Sequence, residues 1–286
     1  MSSSLHFRQA NLDTSPGPVL IGGLISTALW GVTCVQTYTY FTRKSRDGPA
    51  YKAIIAFLFV LDVLDSVLLG HFLYFYLITH STNPIASLPP PWSCTGRGIV
   101  SFLSDFIIRM MFGIRVYKFS QKNLILIIWI TMISLIPFAF GLYSMSMAFQ
   151  IHSYAHLEPP YSIAVYVIFS ANVVADLSIA ISLCYLLYRS RTGFRRTDLL
   201  IRTLMVYTVN TGVIVALDTT FLLTTFVTMP QSLIYDIPYL PLVKLHLNAY
   251  LACLNAREAI QEKLQMQDLI FVESELTCTP GISERS

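Results

Sequence analysis

The chain has 286 residues, of which 54% are apolar and 12% charged, with a mean hydropathy of +0.59 and a net charge of +3. Average soluble domains carry roughly 25% charged residues, so this composition excludes a disordered, collagenous or ordinary soluble protein. Long apolar runs recur along the whole chain with little polar sequence to cover them, which points to an integral membrane protein.

In chain order, bilayer-length apolar windows place spans at Val19–Phe41, Ala53–Ile78, Ile99–Phe119, Leu124–Phe149, Ile163–Tyr188, Thr203–Thr228 and Asp236–Leu254. Lipid cannot satisfy backbone N–H and C=O groups, and runs of this length are too long for barrel strands. The expected fold is therefore all-α, a seven-transmembrane-helix bundle over residues 18–255. Met1–Gly17 has no basic segment and no cleavage signal, and reads as a short polar tail. Residues 256–286 read as a second tail. In it, Ala256–Leu269 has the spacing of a short amphipathic surface helix, and Thr277–Ser286 is expected to be disordered.

Basic residues alternate between the loops. Arg43, Lys44, Arg46 and Lys52 follow span 1, Lys118 and Lys122 follow span 3, and Arg189, Arg191, Arg195, Arg196 and Arg202 surround the loop after span 5. Arg257 and Lys263 follow span 7, whereas the opposite side carries only Arg8 and Arg97. The positive-inside rule then puts the N-terminus outside and the C-terminus in the cytoplasm, as an odd number of spans requires. The expected location is the plasma membrane or another membrane of the secretory pathway. Cys94 has no partner cysteine in the loop after span 4, and Cys34, Cys184 and Cys253 read as packing residues within spans. The stripe Gly23, Thr27 and Gly31 on span 1 permits close helix approach. Tyr38, Tyr40, Phe41, Phe72, Tyr74, Phe75, Tyr76 and Trp92 gather at span ends and read as interfacial anchors.

Ionisable groups at bilayer depth carry the functional signal, since each costs about 3 kcal/mol or more unless paired or hydrated. Asp62 and Asp65 lie in span 2, Asp105 and Arg109 in span 3, Asp176 in span 5, Asp218 in span 6 and Lys244 in span 7. Helical spacing puts Asp105 and Arg109 on one face, Asp62 and Asp65 on another, and Asn172 one turn from Asp176. Asn210 adds an amide in span 6, and Lys244, Asn248 and Asn255 form one stripe of span 7. Five acids against two bases leave a surplus, as a site for a small ligand or cation would require. The alternative is that these groups only fix helix packing, beginning with an Asp105–Arg109 pair. One expectation is a single outward-opening cavity lined by Asp62, Asp65, Asp176, Lys244 and Asn248.

The stretch S-A-N-V-V-A-D-L-S from Ser170, the loop Arg191–Thr192–Gly193 with Thr197–Asp198, the run Asn210–Thr211–Gly212 and the ending K-L-H-L-N-A-Y-L-A-C-L-N-A-R from Lys244 to Arg257 form a recognisable set. They resemble a family of fungal seven-span membrane proteins whose C-terminal three-span domain, residues 162–257 here, is catalogued as a domain of unknown function. The resemblance implies a membrane location and no established activity.

Among function classes, a receptor-like bundle leads. Its partners would be the lipid bilayer, a small ligand or cation, and a protein on the basic cytoplasmic face. The motifs of common G-protein-coupled receptors are missing: Arg115 has no acid before it, and Asn248-Ala249-Tyr250-Leu251 has no proline. The surplus carboxylates also suit a proton- or cation-coupled transporter, although no internal repeat is visible. A retinal-type pigment would need Lys244 beside a counter-ion such as Asp105. An intramembrane hydrolase would need grouped metal ligands, and His152 with His156 in a loop, or His71 and His246 singly, do not provide them. No enzyme motif, cofactor signature, metal set or nucleic-acid surface is present, so none is expected.

Overall fold

The computed structural model describes residues 17–43, 47–80, 90–120, 123–148, 159–189, 195–229 and 233–278. They form α1 (Gly17–Thr42), α2 (Pro49–Tyr74) ending in a π-helical turn (Phe75–Thr79), α3 (Trp92–Phe119), α4 (Leu124–Ala148), α5 (Pro159–Arg189) and α6 (Arg195–Thr228). A 3-10 turn (Leu233–Tyr235), the one-turn α7 (Asp236–Tyr239) and α8 (Leu242–Cys278) complete the chain. No strand occurs among the described residues. Pro18, Pro49 and Pro160 stand in the first turns of α1, α2 and α5, where proline's fixed φ suits the helix and its missing N–H has no intrahelical acceptor to lose. The threonines of α6 would be costly in lipid if unsatisfied. The hydroxyls of Thr219, Thr220, Thr224, Thr225 and Thr228 instead donate one turn back, to the carbonyls of Val215, Ala216, Thr220, Phe221 and Thr224.

The long helices close into a ring in chain order. Each of α1 to α6 packs against its successor, α6 packs against α8, and α8 returns to α1. Helix α3 also touches α5 and α8, which makes it the central helix of the bundle. A seam along α8 fixes its direction relative to α1. Asn248 Nδ2 donates to the Leu29 carbonyl at 3.0 Å and Asn255 Nδ2 to the Gln36 carbonyl at 2.9 Å, so both chains advance together and the helices run parallel. The N-terminal end of α1 thus shares one end of the bundle with α7. There the approach is close: a Cβ on Gly22 would stand 2.5 Å from the Asp236 carbonyl oxygen, so Gly22 lets α7 rest on α1. Gly23 lies against Leu73, and Gly31, the third expected small contact, faces open space.

Polarity is arranged inside out. Leu24, Val35, Val60, Val67, Ile125, Ile181 and Leu217 are all more than 60% exposed, while Asp62, Asp65, Arg109 and Lys244 are at most 2% exposed. An apolar exterior of this extent is a surface for lipid rather than water. Among the described residues, four helices are long and apolar enough to cross a membrane: Gly17–Thr42, Pro49–Thr79, Leu124–Ala148 and Tyr161–Leu186. Long helices α3, α6 and α8 fall short of that composition because they carry much of the polar sequence.

Several expectations are corrected. Helix α3 starts at Trp92 rather than near Ile99, and Arg97, expected in an external loop, is a buried helical residue. The seventh span is broken at Leu240–Pro241. Pro241 has no N–H to carry the helical hydrogen bonding across this point, and the Leu240 carbonyl outside α8 accepts from Ser26 Oγ at 3.3 Å and Arg97 NH2 at 2.6 Å. Beyond Leu254 there is no break, and α8 runs straight through Ala256–Leu269 to Cys278. Residues 1–16 and 279–286, and the loop with His152 and His156, lie outside the described residues. Of the expected anchors, Tyr38, Phe41, Tyr74 and Trp92 are exposed, but Tyr40, Phe72 and Tyr76 are core residues. Cys34, Cys94, Cys184 and Cys253 form no disulfide.

At the end opposite α7, the start of α2 is clamped to α8. Arg257 NH2 lies 2.7 Å from Asp47 Oδ2 and 2.6 Å from Glu258 Oε1, and Arg43 NH1 donates to the Asn255 carbonyl at 2.9 Å. Burial opposes the charge on Arg257, but the Asp47 and Glu258 carboxylates more than offset it and hold the guanidinium above its ordinary range. Deeper in the bundle, Tyr51 and Tyr250 share a hydroxyl contact, with Arg115 4.5 Å over the Tyr250 ring.

Candidate functional site

Two buried ion clusters occupy the core, and α3 and α8 contribute to both. In the first, Lys244 is fully buried, with Nζ 2.9 Å from Asp62 Oδ1, 3.2 Å from Asp65 Oδ2 and 2.7 Å from Ser66 Oγ. The other oxygen of Asp65 receives Ser101 Oγ at 3.1 Å and faces Arg97 Nε at 3.2 Å. Asp62 and Asp65 meet one lysine because their spacing of three residues puts both carboxyls on the α8 side of α2.

In the second cluster, Arg109 holds α3 to α5. Its Nε donates to Asp176 Oδ1 at 3.1 Å, NH1 donates to Asn172 Oδ1 at 2.9 Å, and NH2 lies 3.4 Å from Asp105 Oδ2. His246 of α8 closes the group, with Nδ1 2.8 Å from Asp105 Oδ1 and Nε2 3.4 Å from Asp176 Oδ2. Both ring nitrogens therefore face carboxylate oxygens.

These positions alter the charge count. Arg97 and Lys244 face Asp62 and Asp65, and Arg109 and His246 face Asp105 and Asp176, so each acid of the clusters has a basic side chain beside it. The surplus of acid found in the sequence does not lie in either cluster. It lies with Asp218, half-buried on α6 with Oδ2 making no hydrogen bond among the described residues, and with Asp236 of α7, which is 8% exposed.

Three of the cavities among the described residues accompany the clusters. The largest of these three, about 100 Å³, sits at the α7 end, with Arg97, Asp236, Tyr161, Tyr235, Tyr239 and Phe226 among its walls. A cavity of about 20 Å³ lies next to it, sharing Phe102, Ile168, Phe169 and Tyr239 as walls and reaching Asp105 and Asn172. The third, about 40 Å³, is bounded by Arg109, Asp176 and His246. The Asp105–Arg109 pair stands between the second and the third.

The expected Asp105–Arg109 pair is present, and Asn172 and Asp176 act together on Arg109. Among the described residues the expected lining is divided. Asp176 belongs to the Arg109 cluster, Asp62, Asp65 and Lys244 line none of the three cavities, and Asn248 is used in the seam with α1. Asn210 lies on α6, and its side chain is outside the described residues. The pigment geometry fails as well, since Lys244 faces α2 while Asp105 is held by Arg109 and His246. Sequence reasoning missed Arg97, His246 and Asp236. Arg97 and Asp236 sat at span edges, and His246, though two residues from Lys244, was weighed only as a metal ligand. Among the described residues no group of three or more His, Cys, Asp or Glu is placed to hold a metal ion.

Comparison with known proteins adds one finding. Residues 172–259 match a family of unknown function, DUF6534, a segment that contains Asn172, Asp176, Asp236, Lys244 and His246 but none of the partners on α2 and α3. No curated protein and no solved structure matches the chain.

Proposed function

We propose that the chain is a receptor-like protein that crosses the membrane seven times, with the α7 end outside and the far end of α8 in the cytoplasm, and that a small ligand occupies the cavity at the α7 end. The basic loops support this direction, and the parallel course of α1 and α8 agrees with an odd number of crossings. Inward-facing charge makes α3 and α8 tolerable in lipid despite their composition.

One observation carries the ligand reading. Arg97 lines the cavity, donates to the Leu240 carbonyl at the break before α8, and pairs with Asp65, which shares Lys244 with Asp62. A charged occupant beside Arg97 shifts the balance between Arg97 and Asp65 and so the charge around Lys244 on α8, and α8 carries that change to the basic cytoplasmic face. A ligand acts on such a device only through different affinities for its two arrangements.

Cys94 is also in the cavity wall and provides a test. With the other cysteines replaced by Ser, a small impermeant methanethiosulfonate bearing a trimethylammonium group should modify Cys94 when added outside intact cells. Filling the cavity with Val165→Trp should slow that reaction. Modification only from the cytoplasmic side, or at an unchanged rate in the filled variant, contradicts the reading.

A further inference from the structure

We propose that the cavity at the α7 end takes a small organic ammonium ion, with Asp236 as its counter-charge and the surrounding aromatic rings as its cage. This inference rests on the reading that the cavity holds a ligand, and it assigns the ligand's chemical class. Two independent observations lead to it.

The first is the charge count. Arg97 is the cationic side chain among the cavity walls, and it is already occupied by Asp65 at 3.2 Å and the Leu240 carbonyl at 2.6 Å. Asp65 and Lys244 are in turn used within their own cluster. Asp236 has no such arrangement: no hydrogen bond to its carboxylate and no ion pair within 4.0 Å is formed among the described residues, and Arg97 acts on it only at longer range. A carboxylate at 8% exposure in an apolar wall is held as the anion only with a cation beside it, which a bound ammonium would supply.

The second observation is the character of the remaining wall. Tyr161, Tyr235 and Tyr239 share the cavity wall with Asp236. Phe226 packs edge-on against Tyr235 at 5.5 Å between ring centroids and against Phe169 at 5.3 Å, and Phe169 reaches Tyr239 at 6.3 Å. Linked rings beside one acid are the surroundings in which a quaternary or alkyl ammonium gains both cation–π attraction and apolar contact. Such a wall also discriminates against a compact hydrated ion such as sodium, because rings and aliphatic side chains replace few of its water contacts. The volume, about 100 Å³, is of the order of a cavity that admits benzene, about 150 Å³. It therefore suits a compact ammonium group rather than a long chain.

Three probes of similar size and different charge test this: tetramethylammonium, neutral tert-butanol and anionic pivalate, each at matched ionic strength. The readout is the rate at which methyl methanethiosulfonate, an uncharged reagent, modifies Cys94 in the purified full chain. Tetramethylammonium should slow the reaction saturably, by about tenfold, and the other two should not. Asp236→Asn should raise the half-protecting concentration by about tenfold or more, and Tyr239→Leu by about threefold. If Asp236→Asn fails to fold, Tyr239→Leu and the three-probe comparison still decide. Equal protection by tert-butanol, or preferential protection by pivalate, overturns the ammonium assignment while leaving a ligand cavity in place. No protection by any probe, with Val165→Trp still slowing the reaction, overturns the assignment alone. An unchanged rate in Val165→Trp removes the ligand cavity itself.

Discussion

Arg109→Leu is expected to lower the stability of the detergent-extracted protein by about 3–5 kcal/mol, the usual consequence of removing one partner from a buried ion pair. Asp105, Asp176 and Asn172 all use this guanidinium, and without it two carboxylates share only His246. Adding Asp176→Asn should restore part of the loss, because one orphaned charge then disappears. Adding Asp62→Asn should restore nothing, since Asp62 belongs to the other cluster. Thermal melts of the single and double variants check this, and strictly additive losses for Arg109→Leu with both Asp105→Asn and Asp176→Asn would show that the cluster is not coupled.

Lys244→Met should be comparably damaging. Methionine fills much of the same volume, so the loss, again about 3–5 kcal/mol, reflects Asp62 left without its cation, Asp65 left with Arg97 alone, and Ser66 without its donor. Asp62→Asn on top of Lys244→Met should recover part of it. Melting curves for Lys244→Met that overlay those of the unaltered protein would refute this account of the first cluster.

Much of the architecture was legible because it follows from one constraint, that backbone in lipid must be helical. The long helices cover the expected spans, with ends shifted where a hydropathy window is blind. A window averages over charge, so Arg97 pushed the apparent start of the third span to Ile99, whereas the helix begins at Trp92 and buries the arginine against Asp65. Asp105 with Arg109, and Asn172 with Asp176, were visible as neighbours because helical spacing is local. Their assembly was not, because it depends on the order of helices around the ring. Arg109 could have met Asp62 or Asp218 as readily on paper, and it meets Asp176 because α3 packs on α5. Asp236 was passed over for a related reason. Its environment is built by Pro241, which breaks the last span, and by rings from distant helices, and no local pattern announces either.

The central claim, a chain that crosses the membrane an odd number of times with the α7 cavity outside, is tested most directly by epitope tags at Met1 and Ser286 in cells. The Met1 tag should be reached by antibody on intact cells, or be lumenal in sealed vesicles, and the Ser286 tag only after permeabilisation. Both tags reporting the same side, or the reverse assignment, would contradict it.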